Sequence, residues 1–221
     1  MSLTTTFADL CKSFAPDAFA INYTLAKNPE ISSQEFESVK TIGAVLEKYG
    51  MDVIYEFCNL PTAFKASAVK VDNPQGRLAI LCEYDALPEI GHGCGHNMIG
   101  SMSAGAGVIL SKVIDKVGGR IIVYGTPAEE TNGAKVILAE EGVFDELDVA
   151  MMVHPADITA KSGTSMALYP LQFTYKGKTA HAAACPQDGI NALNSVIQLF
   201  NGIDALRQHV TPDVRMHGII T

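Results

Sequence analysis

Leu78-Ala79-Ile80-Leu81-Cys82, followed at once by Glu83-Tyr84-Asp85, is the stretch on which the fold turns. Five apolar residues without polar alternation are what a strand buried on both faces requires, and such strands belong to parallel sheets. The same texture returns at 121–124 and 149–153. Between these runs lie 97–117, of helical length and rich in small and apolar residues, and a shorter helical segment at 132–141. Strand–helix–strand alternation predicts an α/β fold, a mainly parallel sheet covered by helices on both faces.

Upstream, 6–27 and 33–49 read as helices. The Ser32/Glu35 spacing fits a capping box. Phe36, Val39, Gly43 and Leu46 recur at helical spacing, and Gly50 is placed to close the second helix. Strands are expected at 51–57 and 64–71, with a turn at Asn73-Pro74-Gln75-Gly76. Downstream the texture changes near 160–165. Phe173-Thr174-Tyr175 reads as a strand ending at Lys176-Gly177-Lys178. A helix then runs from about 188 to 209 with Ile190, Leu193, Ile197, Phe200 and Ile203 on one stripe. A further strand is expected from Val214. The chain therefore divides into a domain over 1–160 and part of a second over 161–221.

The 221 residues are 48% hydrophobic and 18% charged, ample for a packed core and outside the disordered class. A net charge of −8 disfavours nucleic acid, which needs clustered Lys and Arg, and suits a site that collects cations. Five cysteines at irregular spacings, with no secretory pattern over the first residues, point to a reducing, cytoplasmic compartment. No apolar run approaches the roughly 20 residues of a membrane span.

In an open parallel sheet, reactive groups gather beyond the carboxyl ends of the strands. The first buried strand runs into Glu83-Tyr84-Asp85 and the loop Gly91-His92-Gly93-Cys94-Gly95-His96. The second runs into Thr126-Pro127-Ala128-Glu129-Glu130, and the third directly into His154-Pro155. A thiol, two imidazoles and two carboxylates should therefore converge. Cys94 and His96, in a loop with glycine at 91, 93 and 95, are good zinc ligands. The same pair also reads as a loop cysteine beside a helix N-terminus with a capping histidine. Glu129 and Glu130 repel each other unless a cation or solvent compensates; a solvated acidic loop is the alternative. His154 alone reads as a structural histidine and gains weight from its neighbours. Asp85 either accepts the second ring N–H of a ligand histidine or caps the turn before Pro88. His92, His209 and His217 read as ordinary loop residues. A thiol hydrolase built on Cys94 and His96 is a rival reading.

Taken in order, Glu83-Tyr84-Asp85-Ala86-Leu87-Pro88, Gly91-His92-Gly93-Cys94-Gly95-His96-Asn97, Thr126-Pro127-Ala128-Glu129-Glu130, Met152-Val153-His154-Pro155 and Gly177-Lys178-Thr179-Ala180-His181-Ala182-Ala183 resemble peptidase family M20. They resemble its amidohydrolase branch, which holds aminoacylase-like, indole-acetyl-amino-acid and aminobenzoyl-glutamate hydrolases. The resemblance implies a zinc-exopeptidase-like catalytic domain, with an α+β lid through which members dimerise. It implies two divalent ions, zinc or else manganese or cobalt, with Cys94, His96, Glu130 and His154 at ligand positions. Glu129 falls at the general base, and His181 at a lid histidine that stabilises the oxyanion, including in a neighbouring subunit's site. The chain departs from the pattern at Glu83, where the peptidase branch has a metal-binding histidine. A final ligand histidine and the completion of the lid are expected beyond Thr221, so a catalytically incomplete metal-binding or dimerisation fragment is the alternative reading.

Overall fold

A computed structural model describes residues 3–69 and 76–221. Residues 70–75, which hold most of the turn expected at 73–76 and the end of the strand expected at 64–71, lie outside the described residues. The chain forms two compact units, Met1–Ala160 and Lys161–Thr221.

The first unit contains α1 (Leu3–Lys27), α2 (Phe36–Lys48), β1 (Asp52–Tyr55), β2 (Phe64–Val69) and β3 (Arg77–Cys82). It continues with α3 (His96–Ser111), α4 (Ile114–Val117), β4 (Arg120–Gly125), α5 (Ala134–Glu140) and β5 (Val149–Met151). The five strands form one sheet in the order β1-β2-β4-β3-β5. β3 pairs parallel with β4 and β5, while β2 pairs antiparallel with β4 and β1. Four strands therefore point one way and β2 alone opposes them: the sheet is mixed but mostly parallel.

The runs of β3 and β4 are largely buried, as an unbroken apolar strand demands, whereas the third run does not follow: β5 is an edge strand paired only with β3, and Val149 and Met151 are exposed. Along β4, Val123 packs into a cluster with Phe14, Ile21, Leu25, Ile42, Leu46 and Val108 from α1–α3. Its neighbours Ile122 and Tyr124 pack on the other side with Ala79, Val143, Phe144 and Leu147. α3 reaches the sheet closely because a Cβ at Gly107 would collide with Val123.

Several local expectations change. The segment expected as one helix over 97–117 is interrupted at Val113, whose φ of −115° and ψ of 4° leave the helical basin. In α2, Phe36 is exposed and Ile42 is buried in its place, because the buried stripe runs Val39, Ile42, Gly43 and Leu46. Gly50 (φ 85°) closes this helix as a Schellman motif, its N–H reaching Glu47 O and that of Met51 reaching Leu46 O. The capping box does not form. Ser32 and Glu35 turn inward, and Glu30 caps α2 instead, accepting from the backbone N–H groups of Glu37 and Ser38.

The second unit contains α6 (Ala192–Leu206), capped by Asn191 Oδ1, which accepts from Leu193 N at 3.1 Å. The helix starts later than expected because Pro186–Asp188 forms a separate 3-10 turn. Neither 173–175 nor the segment from Val214 is a strand: a strand needs a hydrogen-bonded neighbour, and among the described residues neither has one. The stripe residues Ile190, Leu193 and Ile197 are exposed. No helix among the described residues is long and apolar enough to cross a membrane.

Candidate metal centre

The carboxyl ends of β3, β4 and β5 lie side by side, as their pairing requires. Beyond β3 the extended chain alternates: Tyr84 enters the core and donates its hydroxyl to Thr62 O, while Glu83 and Asp85 share the opposite side. The glycine loop then turns into α3 at Gly95. Its φ of 79° is a left-handed angle suited to glycine, and a Cβ there would lie 2.9 Å from Pro155 Cγ. That double constraint places His96 on the first turn of α3, against the strand end carrying His154.

His96 is 1% exposed and is held at Nδ1 by Asp85 Oδ1, 2.9 Å away. Asp85 Oδ2 in turn accepts from Ser32 Oγ at 2.8 Å and from Glu130 N at 3.1 Å. Asp85 therefore orients His96 and does not cap the turn before Pro88. Burial alone would raise the Asp85 pKa. The bonds from His96, the Glu130 amide and Ser32 outweigh it and hold the carboxyl below its ordinary range. An ionised Asp85 fixes the proton of a neutral His96 on Nδ1 and turns the Nε2 lone pair inward.

Nε2 faces carboxylates: Glu83 Oε2 at 3.4 Å, Glu130 Oε1 at 3.7 Å and Glu129 Oε2 at 3.9 Å. His96 Nε2 and Glu83 Oε2 are both buried and have no hydrogen-bond partner. Among the described residues two sets of potential ligand atoms result, Glu83 with His96 and His154, and His96 with Glu129 and Glu130, each within 4.8 Å of one another. Unpaired buried acceptors are costly. A proton on His96 relieves the site in part: burial opposes it, but Asp85, Glu83 and Glu130 together raise its pKa. A divalent cation satisfies the whole donor set of imidazole nitrogen and carboxylate oxygen, so these residues fit a metal.

The rim completes the cluster. The His154 ring stands edge-on to His96, centroids 5.7 Å apart, and shares its Nδ1 with Pro155 O, leaving Nε2 available. Ala128, at a left-handed φ of 56°, turns the chain so that Glu129 and Glu130 come next at the strand end. Burial, Glu83 and Glu130 raise the Glu129 pKa against the opposing Lys135. Lys135 of α5 forms an ion pair with the other Glu83 oxygen. The Cys94 thiol bonds to Glu130, and this bond, burial and the charges of Glu130, Glu129 and Asp85 push its pKa up to about 11. Such a thiol is the reverse of an activated nucleophile, which argues against the thiol-hydrolase reading. Cys94 joins neither set, though its thiol bonds to Glu130, a member of one. His181 belongs to the second unit, where its Nδ1 accepts from the amides of Ala183 and Ala184.

No protein-family model matches the chain. It is 40% identical to the Xaa-Arg dipeptidase of Mus musculus over 169 residues, covering 73% of this chain and 39% of that protein. It is 33% identical to a p-aminobenzoyl-glutamate hydrolase subunit of Escherichia coli over 216 residues, covering 88% and 44%. The structure also superposes on YxeP of Bacillus subtilis, a dinuclear metal-binding peptidase of the M20 family, with a TM-score of 0.56 at 25% identity over 63% of this chain and 42% of that one. The chain belongs to the M20 family. It spans about half the length or less of the curated relatives it matches.

Two residues of the cluster are not among those the M20 pattern singles out. Glu83 stands where the peptidase branch has histidine, yet it is buried and aimed at His96. Alternation is the signal that could have found it, since residues 83 and 85 flank buried Tyr84 and must share a side. Lys135 has no such signal, because only the packing of α5 brings its ammonium to Glu83.

Proposed function

We propose that this chain carries the metal centre of an amide hydrolase acting on an N-acyl amino acid, an aminobenzoyl-glutamate-like compound or a dipeptide. The observation that carries the reading is the pair of buried, unpartnered atoms, His96 Nε2 and Glu83 Oε2, facing Glu129, Glu130 and His154. Cys94, His96, Glu130 and His154 would hold two divalent ions; thiolate and imidazole donors favour zinc over manganese or cobalt. Ions bound there supply Lewis acidity and bring the pKa of a water toward neutrality.

The protein's own groups do the remaining work. Glu129 takes a proton from the attacking water on its carboxylate, and its raised pKa is the direction a base at neutral pH needs. It returns that proton to the amide nitrogen as the C–N bond breaks. Asp85 keeps His96 in the tautomer whose Nε2 faces the centre. The Nδ1 of His181 accepts two amides, so its proton is on Nε2; the role we propose for it is to stabilise the oxyanion, including in a neighbouring subunit's site, with residues 161–221 serving homodimerisation. The five unpaired cysteines fit a cytoplasmic setting.

Glu129→Gln is the direct test. Hydrolysis should fall by roughly 10²–10⁴ with metal content retained, and chelation should abolish it. Full activity in either case overturns the proposal.

A further inference from the structure

Glu35 is a fully buried carboxylate that takes no part in the chemistry above. It sits at the start of α2, yet its partners come from across the fold. Oε1 accepts from Ser33 N at 2.9 Å and from Ala128 N at 2.8 Å, and Oε2 accepts from Thr62 Oγ1 at 2.8 Å. Both residues on Oε1 are non-glycine residues in the left-handed region, Ser33 at φ 67° and Ala128 at φ 56°. Non-glycine residues rarely adopt this conformation, and it persists only where the surroundings enforce it.

The neighbours of each strained residue reach the metal centre. Ser32, next to Ser33, donates its hydroxyl to Asp85 Oδ2. Glu130, two residues beyond Ala128, donates its amide to the same oxygen. One oxygen of Glu35 thus pins both segments that supply donors to Asp85 Oδ2, while Asp85 Oδ1 orients His96. The same Ala128 turn sets the direction of Glu129 and Glu130. Thr62, held by the other oxygen, accepts the Tyr84 hydroxyl between Glu83 and Asp85. The ends of β3 and β4 are therefore tied through one buried side chain.

We infer that Glu35 is a positioning residue for the metal centre: by holding Ser33 and Ala128 left-handed it sets where Ser32 and Glu130 meet Asp85. The inference rests on the metal-centre reading above, and its test is arranged to fail separately.

Glu35→Ala, Glu35→Asp and Glu35→Gln are made in the full chain beside Leu46→Ala, a core truncation at a buried α2 position. Dissociation constants for Zn²⁺ and Mn²⁺ come from competition with a chromophoric chelator, and hydrogen exchange is measured on the peptide spanning 126–133. Glu35→Ala should weaken binding by about ten- to a hundredfold, the range for groups that orient metal ligands. Glu35→Asp, which keeps the charge but loses reach, should fall in the same direction and decides the case if the alanine variant does not fold. Glu35→Gln should recover most of the affinity, because its amide oxygen can still accept both N–H groups. Leu46→Ala should lower the melting temperature without changing affinity. Unchanged affinity in Glu35→Ala and Glu35→Asp, with only the melting temperature lowered, overturns the inference. If the wild type binds neither ion, the metal-centre reading fails. Exchange then decides the inference: faster exchange at 126–133 in Glu35→Asp than in Leu46→Ala supports it, and equal exchange overturns it.

Discussion

Asp85→Asn offers the sharpest test of how the centre is built. Asp85 is 1% exposed and accepts from three donors, Ser32 Oγ, Glu130 N and His96 Nδ1. An asparagine has one acceptor oxygen and one donor NH₂ in nearly the same shape. With its oxygen toward Ser32 and Glu130, two bonds survive and the NH₂ faces His96. The ring must then accept at Nδ1, which moves its proton to Nε2, the atom 3.4–3.9 Å from Glu83, Glu130 and Glu129. The opposite rotamer sets NH₂ against the Glu130 N–H and is worse. Either way Nε2 loses its inward lone pair or its support. The expected loss in divalent-ion affinity is about ten- to a hundredfold, or about 1.4–2.7 kcal/mol. Chelator competition at pH 7 measures the affinity, and ¹⁵N chemical shifts of His96 report the tautomer. Binding within twofold of wild type, with Nε2 still unprotonated, would refute the argument that Asp85 sets the ring.

Two further outcomes are expected. With its pKa pushed up to about 11, Cys94 should react with iodoacetamide at pH 7.5 more slowly than an unperturbed thiol, and added zinc should slow it further; fast labelling in the ion-free protein would contradict the site's electrostatics. Asp17, bonded by Lys48 and by the Tyr49 hydroxyl, has its pKa held below the ordinary carboxylate value, chiefly by those bonds. A depressed carboxyl contributes stability above its unfolded value and loses it as pH falls through the folded one. The melting-temperature gap between wild type and Asp17→Asn should therefore hold at neutral pH and close in acid; a gap that persists below the folded pKa would refute the assignment.

The strand ends, and so the neighbourhood of Asp85, His96, Glu129, Glu130 and His154, were legible in the sequence because short apolar runs mark strands, although the run of β5 is exposed and does not report burial. The roles within that neighbourhood were less so. Ser32 and Glu35 match a capping pattern, and only the tertiary contacts show them serving Asp85 and Ala128 instead. The pattern is local, but the stronger partners lie 53 and 93 positions away. The strand expected at 173–175 is absent for the related reason that a ladder needs a second strand, which no local run supplies.

By itself, the sequence determined the element types over residues 1–160, because periodicity and chain stiffness are local properties; the strands expected at 173–175 and from Val214 did not form. It also determined the order of chemical groups at the strand ends and the family they resemble. Only the tertiary structure decided that β2 runs against its neighbours, that Glu83 and Lys135 enter the centre, and that Asp85 holds His96. Those outcomes depend on which groups are buried together without water, and a buried acceptor or charge takes whatever partner the packing brings within reach.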